Sequence, residues 1–144
     1  MIGAVTALLP SLLDKVRLIE PTLRAYAAQA EMDRRLSAAP FNAMREQGLY
    51  NLWRPKAFGG FETDPTSAFR VFEEVSRIDS AAGWNLQLAA GAEVFGAWFS
   101  DEGAQESFSE PSALIAGSFF PPRKAIPFDG GYPVSGQSSF VSGA

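Results

Sequence analysis

The 144-residue chain contains neither cysteine nor histidine. No disulfide can form, and no thiolate is available for nucleophilic or redox chemistry. A zinc or haem site would have to be built from carboxylates alone, and neither a Ser/His/Asp nor a Cys/His nucleophile system can be assembled. Catalysis therefore has to come from a bound cofactor or from residues outside these 144. Positive charge is also sparse: 12 Lys and Arg stand against 16 Asp and Glu, for a net charge of −4. With no cationic run longer than Arg34-Arg35, the chain does not read as a binder of phosphate backbones, and nucleic acid is not an expected partner. Long apolar runs are missing as well. Pro10, Asp14 and Glu93 interrupt them well before the roughly 18 residues a membrane span needs, and no basic segment precedes the first apolar residues. The expectation is a soluble, cytoplasmic protein with no membrane partner.

What is present suits a packed core. The chain is 47% hydrophobic and 19% charged, with 12 Phe and 3 Trp. From Leu8 to about Arg35 the residues Leu9, Leu12, Leu13, Val16, Ile19, Leu23, Tyr26, Ala27 and Ala30 recur at helical spacing. Pro10 fits a first turn, whereas Pro21 inside the pattern is expected to kink or restart the helix near Ile19 and Glu20. Pro40, Phe41, Met44 and Leu49 mark a short second helix that Gly48 ends. The prolines and the Gly59-Gly60 pair between Arg54 and Pro65 predict an ordered loop, whose Arg54 and Lys56 could face a substrate or cofactor phosphate but read more readily as solvated cations.

Asp64-Pro65 then supplies an N-cap and an N1 proline for a helix to about Arg77. Ser80 reads as the cap of a further helix reaching about Phe99. That helix is apolar almost all round, the pattern of a segment buried in a bundle or at a subunit contact. Glu93 is its oddity, a carboxylate on an apolar face that needs a partner. The glycines Gly91 and Gly96 fit close packing and not a nucleotide loop, and Glu73-Glu74 point to different helix faces and form no dyad. Ser100 caps the last helix, with Asp101 and Glu102 near its positive end. Beyond Pro111 the pattern becomes strand-like, at Ala113 to Phe120, Ala125 to Phe128, and Tyr132 to Val141 after the Asp129-Gly130-Gly131 turn. Two units follow: a helical domain over 1–110, and over 111–144 the start of a β-domain that ends before its sheet is complete.

The wording of three stretches carries a resemblance. Arg45-Glu46-Gln47-Gly48-Leu49, Pro55-Lys56-Ala57-Phe58-Gly59-Gly60, and Glu73 through Trp84 resemble the amino-terminal helical domain of the acyl-CoA dehydrogenase superfamily. Asp129 through Gly143 resembles the start of that superfamily's middle β-domain. Ser80-Ala81-Ala82-Gly83-Trp84, Ala116-Gly117-Ser118-Phe119 with Pro121-Pro122, and Phe140-Val141-Ser142-Gly143 are similar to the flavin-dependent monooxygenase branch. The implied fold is mainly α: an acyl-CoA dehydrogenase-like amino-terminal helical domain followed by the first strands of an incomplete middle β-domain. The carboxy-terminal helical domain, with much of the flavin site and the tetramer contacts, would lie outside these residues, as would the acid–base residue of either branch.

The resemblance implies a reduced flavin, FMN or FAD, a flavin reductase as partner, a small aromatic or similarly apolar substrate, and a tetrameric full-length protein. By motif position Ser142 and Phe140 are flavin-contacting candidates, a hydroxyl for the N5 edge and an aromatic wall. Ser118 is a third, in a loop facing the flavin's other side. Trp84, Gln87, Gly91 and Phe95 are candidates for the substrate wall, or a stripe of core residues. No residue here is assigned a catalytic or metal-binding role, and the chain by itself is expected to be inactive and to hold no flavin. Two alternatives stay open, an acyl-CoA dehydrogenase proper and a non-catalytic helical module.

Overall fold

The computed structural model describes residues 8–110, 113–117, 124–137 and 141. Helix α1 spans Leu8–Asp33 and buries Leu12, Val16, Ile19, Leu23 and Ala30, the stripe its periodicity predicts. It runs on through Pro21 without restarting, and Arg24 Nε donates to Glu20 Oε1 at 2.8 Å across the proline turn. The helix stops at Asp33, because Arg34 takes a left-handed conformation (φ 52°). The Arg34 N–H then bonds to Glu31 O at 3.3 Å and the Arg35 N–H to Ala30 O at 3.2 Å. This closure ordinarily recruits glycine, which is why the sequence pattern does not announce it.

Helix α2, Ala38–Glu46, ends as expected at Gly48, whose φ is 71°. The segment to Thr63 is ordered by its own backbone. The N–H groups of Phe61, Glu62 and Thr63 bond to the carbonyls of Asn51, Arg54 and Leu52 at 3.0, 3.1 and 2.8 Å. Gly60 is required in that fold-back, since a Cβ there would lie 2.0 Å from the Arg54 carbonyl oxygen.

Helix α3, Pro65–Ile78, is capped by Asp64, whose side chain accepts from the Ser67 N–H at 3.0 Å. Hydrogen bonding from Ser67, hydroxyl and backbone N–H together, holds the Asp64 carboxyl below the usual carboxylate range. A lowered folded-state pKa means that the unfolded chain binds the proton more readily. The cap's contribution is therefore complete at neutral pH and declines as pH falls through the ordinary carboxylate range. Asp64→Asn, which caps without titrating, is expected to flatten the acid limb of stability against pH in urea unfolding.

Helix α4, Ser80–Ala92, follows after a single residue. Its cap is Asp79 and not the Ser80 read from the sequence: Asp79 keeps an extended backbone and accepts from the N–H groups of Ala81 and Ala82 at 2.8 and 3.1 Å. Ser80 is already helical. Asp79→Ala is expected to cost about 1 kcal/mol in chemical denaturation and Ser80→Ala close to nothing. The chain continues as a 3-10 segment, Glu93–Trp98, and closes with helix α5, Asp101–Phe108, capped as predicted by the Ser100 hydroxyl on the Gly103 N–H at 3.1 Å.

Helices α1, α3 and α4, with Met44, Leu49, Tyr50 and Leu52, enclose one hydrophobic core. Among the described residues after Glu110 there is no strand, only an isolated bridge between Phe128 and Gly131 around the expected turn. Ile126, Phe128, Tyr132 and Val134 there are each more than 60% exposed. A ladder needs neighbouring strands, and these residues have none beside them among those described. No helix among the described residues is long and apolar enough to cross a membrane.

Candidate functional site

The end of α1, the start of α2 and the α3–α4 junction leave a groove of about 1290 Å³ between them. Ala30, Phe41, Ile78, Trp84 and Asn85 form its walls, and Val141 closes one side. Charged side chains Glu31, Arg34, Arg35 and Asp79 also line it. Where the groove meets the core sits a part-buried polar pair. Tyr50, 1% exposed, donates its hydroxyl to Asn85 Oδ1 at 2.7 Å. Burial pushes the Tyr50 phenol well above its ordinary pKa, so it remains a neutral donor.

Trp84 and Val141 both line this groove although the two are distant in sequence. Val141 lies between Phe140 and Ser142, the positions the motif associates with flavin. Phe140, Ser142 and Ser118 themselves lie outside the described residues. The four substrate-wall candidates separate. Trp84 lines the groove, whereas Gln87, Gly91 and Phe95 continue along α4 and the 3-10 segment away from it.

Trp84 is 57% and Phe95 43% exposed, so this stripe is surface and not core. Trp53 extends the stripe: it lies against Gly91 and meets Phe69 and Phe72 edge-on, with ring centroids 5.9 and 5.4 Å away. None of these positions carries a charge. The resulting aromatic surface suits a planar ring, while the phosphate of a flavin would have to find its donors elsewhere.

Glu93 has the partner its apolar setting demands, and it is Arg54, which the sequence reading placed in solvent. Arg54 Nε donates to Glu93 Oε2 at 2.9 Å and Nη2 to Oε1 at 2.6 Å, a two-pronged pair with both side chains 1% exposed or less. The fold-back at Gly60 carries Arg54 under the loop, and its guanidinium lies 4.9 Å from the Phe108 ring centre. Burial pushes the Glu93 carboxyl up, against the hydrogen bonds and charge of Arg54 that pull it down. Arg54 Nη2 also donates to Ala113 O at 2.6 Å, which ties the segment leaving the helices to their interior. Lys56, by contrast, is exposed as expected. Asn85 was not legible as a site residue, and the only sequence signal for the Arg54 pair was the unexplained Glu93.

The helical module and its groove can be set beside known proteins. Residues 13–107 match the family model described as acyl-CoA dehydrogenase, N-terminal domain, and the chain belongs to that family. It is 32% identical over 133 residues to the oxygenase component of the FADH(2)-dependent resorcinol hydroxylase of a Rhizobium, covering 92% of this chain and 32% of that protein. It is 28% identical over 134 residues to HsaA, the oxygenase subunit of a flavin-dependent monooxygenase of Mycobacterium tuberculosis, covering 92% and 34%. Among solved structures, XiaF from Streptomyces in complex with FADH2 and glycerol superposes with a TM-score of 0.86 at 27% identity, over 90% of this chain and 33% of that one. The 3-HSA hydroxylase from Rhodococcus gives 0.86 at 25% identity, over 92% and 35%. The chain thus spans about a third of the length of these relatives.

Proposed function

We propose that the chain is the amino-terminal part of the oxygenase component of a two-component monooxygenase that uses reduced flavin to hydroxylate an aromatic substrate. One observation carries this reading: Trp84 and Val141 line the same groove, and Val141 is flanked by the two motif positions assigned to flavin. Substrate ring and flavin edge would meet there, with Ser142, Phe140 and Ser118 on the cofactor side. Reduced flavin, when bound, supplies the electrons for oxygen activation. The described residues contribute the apolar part of the lining: Trp84, Phe41 and Ile78 offer an aromatic ring a surface to pack on. FAD is favoured over FMN because two of the named relatives carry FADH2 in their descriptions. A flavin reductase as partner, a tetrameric whole protein and a cytoplasmic location belong to the same reading.

The test is a chimera in which this chain replaces the matching third of the Rhizobium resorcinol hydroxylase, supplied with FAD, a reductase and a panel of phenols. A product carrying one added oxygen atom is the expected result, and Trp84→Ala in the chimera should lower kcat/KM at least tenfold. A chimera that folds and binds FAD but only consumes reduced flavin, with no hydroxylated product from any of the panel, overturns the reading.

A further inference from the structure

Besides the charged side chains Glu31, Arg34, Arg35 and Asp79, the groove carries one neutral amide that the core holds in place. Asn85 sits next to Trp84 on α4, and its Oδ1 is committed to the Tyr50 hydroxyl at 2.7 Å. Tyr50 cannot turn elsewhere, because it is 1% exposed, packed in the core and set against the Phe41 ring at a centroid distance of 5.3 Å. An amide whose oxygen is held on one side presents its two N–H donors on the other. Asn85 lines the groove, and its Nδ2 makes no hydrogen bond to a described residue. Asn85 thus brings those donors to a groove lined by the apolar Ala30, Phe41, Ile78 and Trp84 and, at other positions, by the charged Glu31, Arg34, Arg35 and Asp79.

A purely apolar occupant would leave the amide unsatisfied, which opposes binding, whereas an oxygen acceptor on an aromatic ring would satisfy it. We propose that Asn85, oriented by Tyr50, is the specificity-determining residue of this groove, donating an N–H to the hydroxyl oxygen of a phenolic ligand whose ring lies on Trp84. This rests on the reading of the groove as the substrate site and adds the residue that selects the ligand.

The experiment is binding alone, on the 144-residue chain, so it is independent of turnover. Phenol and its apolar isostere toluene are titrated while the Asn85 side-chain amide is followed by nitrogen–proton NMR. The expected results are a phenol affinity about tenfold above that for toluene, and an Asn85 amide signal that moves with phenol only. The double variant Tyr50→Phe/Asn85→Leu is decisive, since it removes both donors, leaves no buried orphan and offers no acceptor to the phenol hydroxyl, and it should bring the two affinities within about twofold. Should it fail to fold, Asn85→Ala also removes both donors, and the same levelling is expected.

A tenfold preference that survives in the folded variants overturns the proposal. So does an Asn85 amide that stays unmoved while phenol binds, or a failure of the chain to bind phenol at all. Loss of hydroxylation in the chimera with phenol selectivity intact here would instead strike the functional reading alone.

Discussion

Arg54→Met is expected to destabilise the chain by about 3–5 kcal/mol, read as a fall in the midpoint of guanidinium unfolding, because it strands the Glu93 carboxylate in a dry interior. The pair is two-pronged and essentially without solvent contact, so no water can replace the lost guanidinium. Losses of that size remove a large part of the 5–15 kcal/mol typical of a domain, so partial unfolding at room temperature is the anticipated phenotype. Glu93→Leu should be similarly severe, since it leaves the cation buried. The double variant Arg54→Met/Glu93→Leu removes both charges and should recover most of the loss, because a buried ion pair is often no more stabilising than apolar groups of like volume. Recovery in the double variant separates an electrostatic penalty from simple loss of packing. The hydrogen bond from Arg54 to Ala113 adds a local effect: amide exchange near residue 113 should quicken in either Arg54 variant, including the recovered one.

Gly83→Ala sets two terms of opposite sign against each other. In a helix interior the exchange ordinarily stabilises by about 1 kcal/mol. Here a Cβ would stand 2.0 Å from Ser76 Oγ and 2.7 Å from Ser76 Cα, so α3 and α4 touch nearly backbone to backbone. The hydroxyl can rotate aside, but the clash with the backbone can be relieved only by separating two helices that both line the core. Overpacking of this kind costs about 1–3 kcal/mol and occasionally more, so a net destabilisation of about 2 kcal/mol is expected for alanine and more for valine. Ser76→Gly should relieve the alanine variant only in part, because it removes the hydroxymethyl group and leaves the α3 backbone in the way. A double-mutant cycle in urea measures that coupling directly. The junction also carries Ile78, Asp79 and Trp84 into the groove, so a shift of α4 against α3 should weaken phenol binding together with stability.

The residues differ in how far they could be read in advance. Asp64-Pro65, Gly48 and Ser100 announced their helix ends correctly, since a cap is satisfied by groups within three residues of it. Asp79 and Arg34 were missed for reasons equally local. Two capping residue types stood side by side at 79 and 80, and a left-handed arginine does the work usually given to glycine. Arg54 was misplaced for a different reason. Its loop was rightly read as tight, yet the direction of the side chain depends on a partner 39 residues away. The strand patterns after Pro111 are a third case. Alternation states which face a strand would bury, but hydrogen-bonded partners are needed before a strand exists, and the described residues supply only the turn.

The amino-acid sequence alone therefore determined the helical character, the stripe that α1 buries, most of the caps and, through its wording, the family. All of these reside in neighbours a few positions apart or in the order of short phrases. Tertiary structure decided that α4 keeps Trp84 at the surface, that Arg54 neutralises Glu93, and that Tyr50 holds the amide of Asn85, a residue of the groove that Val141 also lines. Each of these is a meeting of distant segments. Its geometry follows from how the helices pack, and helical periodicity shows that a residue faces inward without showing what it meets there.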